Sequence, residues 1–230
     1  MSELILVRHA QASFGTGDYD RLSELGHRQA RWLGEHFLYR GLEFDRVVCG
    51  GMLRHRQTAE GILSGMQQSY PAIEADACWN EFDFEVIIRA YVEQHPGAHS
   101  VMQPTGDTAV PDFTRLLLAS LRAWSEDRLE ADLPERFSEF EERVLSGLHA
   151  IAESGARQQR VLLVSSGGAI SMALRHVLGA PASTMLSLNL QLRNTGLSHV
   201  YFNAQSMHFA GFNHVPHLEH PERSGTITYY

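Results

Sequence analysis

Short apolar runs along the chain alternate with longer stretches in which apolar residues recur every three or four positions. The runs LILV (Leu4–Val7), RVVCGG (Arg46–Gly51) and VLLV (Val161–Val164) predict short strands. LSHVYFN (Leu197–Asn203) and MHFAGFN (Met207–Asn213) predict further strands. Because strands that alternate with helices form parallel sheets covered by helices, we expect an α/β fold. Its predicted architecture is a three-layer α/β/α sandwich with a mostly parallel central sheet.

The stretches between the strands carry helix-boundary residues. LSELGHRQARWLGEHFLYRG predicts a helix with Ser23 as its N-cap and Gly41 as its stop. LRHRQTAEGILSGM predicts the next helix, and Gly168–Leu178 predicts another directly after VLLV. SEFEERVLSGLHAIAES opens with Ser138 and Glu141, the spacing of a capping box. These boundaries support a helical layer on each side of the sheet.

The middle of the chain differs from this alternation. Residues 82–136 are mostly helical in pattern, and Pro104, Gly106 and Pro111 interrupt them. We therefore expect one α/β domain over residues 1–230, with a mainly helical, cap-like insert at about 82–136. The insert is expected to lie over the carboxyl ends of the strands.

Composition and net charge limit the kinds of molecule that this domain is expected to bind. The net charge of −8 argues against a large basic surface, so nucleic acid is not expected as a partner. The two cysteines, Cys49 and Cys78, favour reduced thiols and a cytoplasmic location. No apolar stretch approaches the length of a membrane span, and Leu4–Val7 is too short for the core of a signal peptide. We expect no membrane partner.

Polar residues follow the first three predicted strands, where α/β proteins gather ligands. Arg8 and His9 follow the first, Arg54 and Arg56 open the helix after the second, and Ser165–Gly168 follow the third. Guanidinium groups match phosphate oxygens, and a glycine-rich helix start favours an anion. Taken singly, these features also fit a polar loop, a solvated helix face and a tightly packed turn. Together they favour a phosphate ligand.

The motifs that carry this chemistry resemble those of the histidine phosphatase superfamily, in its phosphoglycerate mutase-like branch. LILVRHAQAS resembles the segment with Arg-His-Gly after the first strand, and LSELGHRQA resembles L-[ST]-x-x-G-x-x-Q-A. MLRHRQTAE resembles L-x-R-x-x-Q-T-A, and VLLVSSGGAI resembles a segment that ends Val-x-His-Gly-Gly. RNTGLSHVYFN resembles the late N-[ST]-[GS]-[IVL] segment. The resemblance covers residues 4–203.

The resemblance implies a role for each matching residue. His9 is implied as the nucleophile that becomes a phosphohistidine, and Arg8 and Arg54 as the groups that bind the phosphoryl oxygens. WNEFDF lies where the family has its acid, which implies Glu81 as the proton donor. On chemistry alone, the neighbouring Asp83 and Glu85 are also candidates.

Ser166 and Gly167 complete the substrate-binding set implied by the resemblance. No metal and no cofactor are expected.

This sequence departs from the family pattern at three positions. Ala10 replaces the usual glycine, which a negative φ tolerates. Gly15 stands where the mutase branch has an asparagine, which weakens a mutase assignment. Ser166 replaces the second histidine, and a neutral hydroxyl is a weaker donor than a charged imidazole. We therefore expect reduced turnover rather than a lost site.

Other histidines are weaker candidates to replace the missing imidazole. His55 lies between two arginines of a helix and is expected to point away from the ligand. His214, His217 and His220 lie near two prolines and predict a surface loop. Neither a metal site nor a role for His217 near the active site is the favoured interpretation.

The leading hypothesis is a metal-independent phosphohydrolase that acts on small phosphate monoesters. The alternative is a phosphate-binding or regulatory module with little turnover, motivated by Ser166. A phosphoglycerate mutase ranks below both. The sequence leaves the substrate and the oligomeric state open.

Overall fold

The computed structural model describes residues 1–13, 20–67, 71–101, 109–153 and 158–229. The strands are β1 Ser2–Arg8, β2 Arg46–Cys49, β3 Ile73–Ala75, β4 Arg160–Ser165, β5 Leu197–Phe202 and β6 Met207–His214. The helices are α1 Glu24–Tyr39, α2 Leu53–Met66, α3 Phe84–Gln94, α4 Ala109–Ser125, α5 Phe137–Ala152, α6 Gly167–Val177 and α7 Ala182–Gln191. Within the described ranges, no helix combines the length and apolar character needed to cross a bilayer.

The strands form one six-stranded sheet in the order β3-β2-β4-β1-β5-β6. The first four in this order run parallel, while β5 and β6 are antiparallel to their neighbours. The prediction of a mostly parallel sheet is therefore confirmed. The order brings the carboxyl ends of β1, β2 and β4 side by side, because β4 pairs with both of the others.

The core lies on both faces of this sheet. Alternate residues of β1 point to opposite faces, as the two-residue period of a strand requires. Ile5 and Val7 pack with residues of α1 and α2, whereas Leu4 and Leu6 pack with residues of α5 and α6. The four residues are at most 1% exposed, so each face is closed by its helices. This confirms the three-layer α/β/α sandwich.

The helix boundaries agree with the sequence at α1 and differ at α5. Ser23 is the N-cap of α1, and its hydroxyl accepts a bond from the Gly26 amide. The predicted capping box of Ser138 and Glu141 is wrong, because α5 begins at Phe137. There the Glu139 carboxylate accepts a bond of 2.7 Å from the amide of the N-cap residue, Arg136. Glu139 thus fixes the start of the helix two residues earlier.

The segment at 82–136 contains α3 and α4, and residues 102–108 of it lie outside the described residues. Its aromatic residues attach it to the domain. The Phe82 and Trp124 rings lie 5.3 Å and 5.7 Å from the Phe140 ring of α5, and Trp124 also lies 5.1 Å from the Phe137 ring. Phe82 packs close to Gly168 at the start of α6, the helix that follows β4. That the segment forms a cap over the strand ends stays a prediction.

Candidate active site

The polar residues at the ends of β1, β2 and β4 come together at one edge of the sheet, in a cluster that we call the pocket. We call Arg8, His9 and Ala10 the β1 wall, and Ser166, Gly167 and Gly168 the α6 wall. Arg54, in the first turn of α2, lies between them: its Nη2 atom is 3.5 Å from the Ser166 hydroxyl. The structure therefore brings together the sequence-predicted residues from three separate segments.

The His9 imidazole is buried, with 3% of the residue exposed. Its Nδ1 atom lies 2.8 Å from the carbonyl oxygen of Ala10. Because a carbonyl only accepts, Nδ1 must carry the proton, and Nε2 keeps a lone pair. The His9 amide donates to the Ser165 carbonyl, and the Asn194 side chain donates to the His9 carbonyl. Ring tautomer and backbone position are thus both fixed by neighbours.

Burial lowers the pKa of His9 well below its ordinary value, and the positive charges of Arg54 and Arg8 lower it further, as does His55. A buried imidazole beside cations is disfavoured in its charged form. The ring is therefore neutral near pH 7. A neutral, oriented imidazole is the form that can attack an electrophile.

The departure at Ala10 leaves the β1 wall intact. Ala10 is not among the described non-glycine residues with positive φ, so its methyl group causes no backbone strain. Its amide donates to the Thr58 hydroxyl at 3.0 Å. Gly15, the second departure, lies outside the described residues.

The Arg8 guanidinium is positioned by hydrogen bonds to backbone carbonyls. Its Nη1 atom donates to the carbonyl of Tyr229 at 2.9 Å and also to that of Leu192. The carbonyl of Arg8 accepts a bond from the Thr195 amide. The segment before β5, which carries the late motif, therefore fixes the position of the β1 wall.

Arg54 is only 6% exposed, and its guanidinium pairs with Asp20 at 2.8 Å. Asp20 also accepts a bond of 2.9 Å from the Leu53 amide at the start of α2. No sequence pattern singles out Asp20, because it lies in a loop far from Arg54 along the chain. Arg56 instead points to solvent, where it pairs with Glu60.

Glu81 lies against the α6 wall. Its Oε2 atom accepts a bond of 3.0 Å from the Gly168 amide, and Oε1 accepts one of 3.2 Å from the Phe82 amide. Burial raises the pKa of this carboxyl, although both amides and the two arginines act in the opposite direction. A raised pKa suits a group that must release a proton near neutral pH.

The other two carboxylate candidates do not reach the pocket. Asp83 is exposed and caps α3, where its side chain accepts a bond from the Val86 amide. Glu85 is exposed in the first turn of α3. Of the three, Glu81 alone bonds to the α6 wall in the structure.

The glycine pair of the α6 wall makes room for side chains from elsewhere. A Cβ atom at Gly168 would lie 2.1 Å from the Glu81 carboxylate oxygen. A Cβ at Gly167 would lie 2.2 Å from the side-chain oxygen of Asn189, a residue of α7 that the sequence did not single out. Glycine is therefore required here for close approach rather than for unusual backbone angles.

The prediction that His55 points away from the ligand is wrong. His55 is fully buried, and its Nε2 atom lies 2.6 Å from the Ser166 hydroxyl. Its ring centroid is 5.7 Å from that of His9. One sequence signal was available: the chain lacks the histidine that the resemblance implies at position 166 but carries a histidine directly after Arg54 on α2.

The prediction of a surface loop at the C-terminal histidines is also wrong for His217. Only 2% of His217 is exposed, and its Nε2 atom bonds to the Thr195 hydroxyl at 2.8 Å. Thr195 in turn donates its amide to the Arg8 carbonyl. His217 therefore lies behind the β1 wall without entering the pocket, whereas His214 and His220 are exposed.

Fold and site define a class: an α/β protein in which a neutral histidine, two arginines and a glutamate lie together at the carboxyl ends of parallel strands. The model of the histidine phosphatase superfamily (branch 1) matches residues 4–102 and 93–215. The chain belongs to this superfamily.

The chain is similar to several known proteins. It is 34% identical over 88 residues to a 2,3-bisphosphoglycerate-dependent phosphoglycerate mutase from Mesorhizobium japonicum, a match of 35% of this chain and 42% of the relative. The match thus spans less than half of that relative. YhfR from Bacillus stearothermophilus superposes with a TM-score of 0.69 at 18% identity, over 95% of this chain and all of that one. Alpha-ribazole phosphatase from Shigella flexneri superposes with a TM-score of 0.61 at 23% identity, over 92% of this chain and 96% of that one.

Proposed function

We propose that the protein is a metal-independent phosphohydrolase that cleaves small phosphate monoesters through a phosphohistidine at His9. The observation that carries the proposal is the state of His9: buried, neutral, and oriented by the Ala10 carbonyl with Nε2 unprotonated. Membership of the histidine phosphatase superfamily supports the same reaction class.

In this mechanism, Nε2 of His9 attacks phosphorus while Arg8 and Arg54 bind the phosphoryl oxygens, with Ser166 and Gly167 at the α6 wall. Charge on these oxygens is stabilised by donors that are already in place. Glu81 donates its proton to the leaving oxygen, so the alcohol departs neutral. The resulting carboxylate then takes a proton from water, which attacks the phosphohistidine and releases phosphate.

The surroundings of the pocket supply the rest of the proposal. The insert at 82–136 would cover the site and select among small phosphorylated substrates, since Phe82 at its start, next to Glu81, contacts the α6 wall. Both cysteines are free, Cys49 in the core and Cys78 partly exposed, which is consistent with a reducing, cytoplasmic environment.

Turnover of p-nitrophenyl phosphate in the presence of chelator tests the proposal. We expect the wild-type protein to release nitrophenol and His9→Ala to lose at least about 10³-fold in kcat, because removal of an attacking group leaves only binding effects. His149→Ala, which alters an exposed histidine of α5, is the matched control and should retain full activity.

Two other results would replace the proposal. Absence of turnover together with binding of inorganic phosphate would establish a binding module. Interconversion of phosphoglycerate isomers faster than their hydrolysis would establish a mutase, the activity named for the curated relative.

A further inference from the structure

An imidazole reaches the α6 wall from a different helix than the resemblance anticipates. His55 stands on α2, one residue after Arg54, and its Nε2 atom is 2.6 Å from the hydroxyl of Ser166. A Cβ atom at Gly50 would lie 2.2 Å from the Nδ1 atom of His55. The end of β2 therefore leaves room for this ring, and no larger residue would fit at position 50 without moving it.

The Ser166 hydroxyl contacts His55 instead of capping its own helix. Ser166 is the N-cap residue of α6, yet its side chain makes no capping bond to the helix. A capping serine normally accepts from a backbone amide of the first turn. Here the hydroxyl instead lies between the His55 ring and the guanidinium of Arg54. It is thus turned toward the pocket in which Arg8 and Arg54 would bind an anion.

The direction of the hydrogen bond decides what the hydroxyl can do. Burial and the charge of Arg54 lower the pKa of His55 to about 3, so the ring is neutral and carries one N–H. If Nε2–H donates to the serine oxygen, the serine O–H is left to donate elsewhere. A phosphoryl oxygen bound by Arg8 and Arg54 could accept this bond.

We propose that His55 and Ser166 together replace the family's second imidazole: His55 donates to Ser166 and so positions its hydroxyl to donate to the phosphoryl group. Ser166 contacts the substrate, and His55 acts through it as a positioning residue. The inference rests on the proposed function, because it names the donor used in that reaction.

Four variants test the pair: His55→Leu, His55→Gln, Ser166→Ala and the double variant His55→Leu/Ser166→Ala. Leucine removes the donor but keeps most of the volume, and glutamine keeps an N–H near the position of Nε2. We expect His55→Leu and Ser166→Ala each to lower kcat for p-nitrophenyl phosphate about 10-fold to 100-fold, with KM changed less than about 3-fold. The double variant should be no worse than Ser166→Ala, and His55→Gln should stay within about 5-fold of wild type.

Additive losses in the double variant, or a folded His55→Gln as inactive as His55→Leu, would overturn the inference and leave His55 as a packing residue. Near-UV circular dichroism identifies any variant that has not folded. If only His55→Leu fails to fold, the comparison of His55→Gln with Ser166→Ala still shows whether His55 acts through the Ser166 hydroxyl. His149→Leu is the control for replacing a histidine outside the pocket, and it should match wild type.

The proposed hydrolase function and the inferred role of His55 and Ser166 can be contradicted independently. If the wild-type protein turns over nothing, the proposed function fails, and the pair is judged by titration with orthovanadate, an analogue of the phosphoryl-transfer transition state. Equal, non-additive weakening of vanadate binding in His55→Leu and Ser166→Ala then supports the pair. Unchanged vanadate binding in both variants contradicts it.

Discussion

At the end of β1, the His9 imidazole is oriented by its own neighbour in the chain, whereas at the start of α6 the polar atoms are held by side chains from distant segments. His9 bonds to Ala10 at 2.8 Å. Ser166 bonds to His55 of α2 at 2.6 Å, and the Gly168 amide bonds to Glu81 at 3.0 Å. The ring orientation of His9 is therefore set by a local contact, whereas the polar atoms of the α6 wall are held by the packing of three segments.

This difference makes the α6 wall the more sensitive of the two to changes that add volume. We expect Gly168→Ala to lower kcat about 100-fold, the usual loss when a catalytic group moves by about 1 Å. The added methyl group would lie 2.1 Å from the Glu81 carboxylate and 2.4 Å from the Phe82 ring, so Glu81 must move. Steady-state kinetics with p-nitrophenyl phosphate measures the loss.

Gly97→Ala is the matched control for that variant. A Cβ atom at Gly97 would meet nothing within 4 Å, so activity and stability should both match wild type. Full activity of Gly168→Ala would show that Glu81 does not depend on the α6 wall for its position, and the contrast between the walls would fail.

The β1 wall was predictable because its parts are adjacent in sequence. An apolar run that ends in Arg8 and His9 indicates a strand end with two functional side chains, and strand pairing then places the ends of β2 and β4 beside it. The partners of the α6 wall could not be predicted in this way. The contact between His55 and the α6 wall could be predicted only by knowing which face of α2 turns toward β4.

Two elements of the fold also lacked a sequence signal, for separate physical reasons. The strand β3 is three residues long and none of them is fully buried, so it has no apolar run. The helix α7 buries only Met185 and Leu186 among its residues, so it lacks a repeating apolar face. Tertiary packing rather than local pattern determines both elements.

A smaller effect, on the pH dependence of stability, is expected from His217 behind the β1 wall. Burial lowers the pKa of His217 from 6.5 to about 3, so the folded protein keeps this ring neutral where the unfolded chain protonates it. The unfolded state then binds more protons between these two pH values, and stability must fall as pH decreases through this window. His9 and His55, whose pKa values are also lowered, act in the same direction.

We expect His217→Gln to reduce the slope of unfolding free energy against pH by up to about 1.4 kcal/mol per pH unit. Urea unfolding at pH 4, 5, 6 and 7 measures the slope, and His149→Gln, at an exposed histidine, should leave it unchanged. An unchanged slope in His217→Gln would mean that His217 titrates equally in the folded and unfolded states.

The central claim is that the phosphoryl group is transferred to His9 at the β1 wall, and not to Ser166, whose hydroxyl also has an imidazole partner. Acid and base quenching of Glu81→Gln after mixing with an aryl phosphate tests it most directly. The variant lacks the group that activates water, and an aryl leaving group needs little proton donation, so the intermediate should accumulate. We predict one acid-labile, base-stable phosphoryl group per molecule, mapped to His9 by mass spectrometry. An acid-stable phosphoryl group on Ser166, or no phosphoprotein at all, would contradict the account.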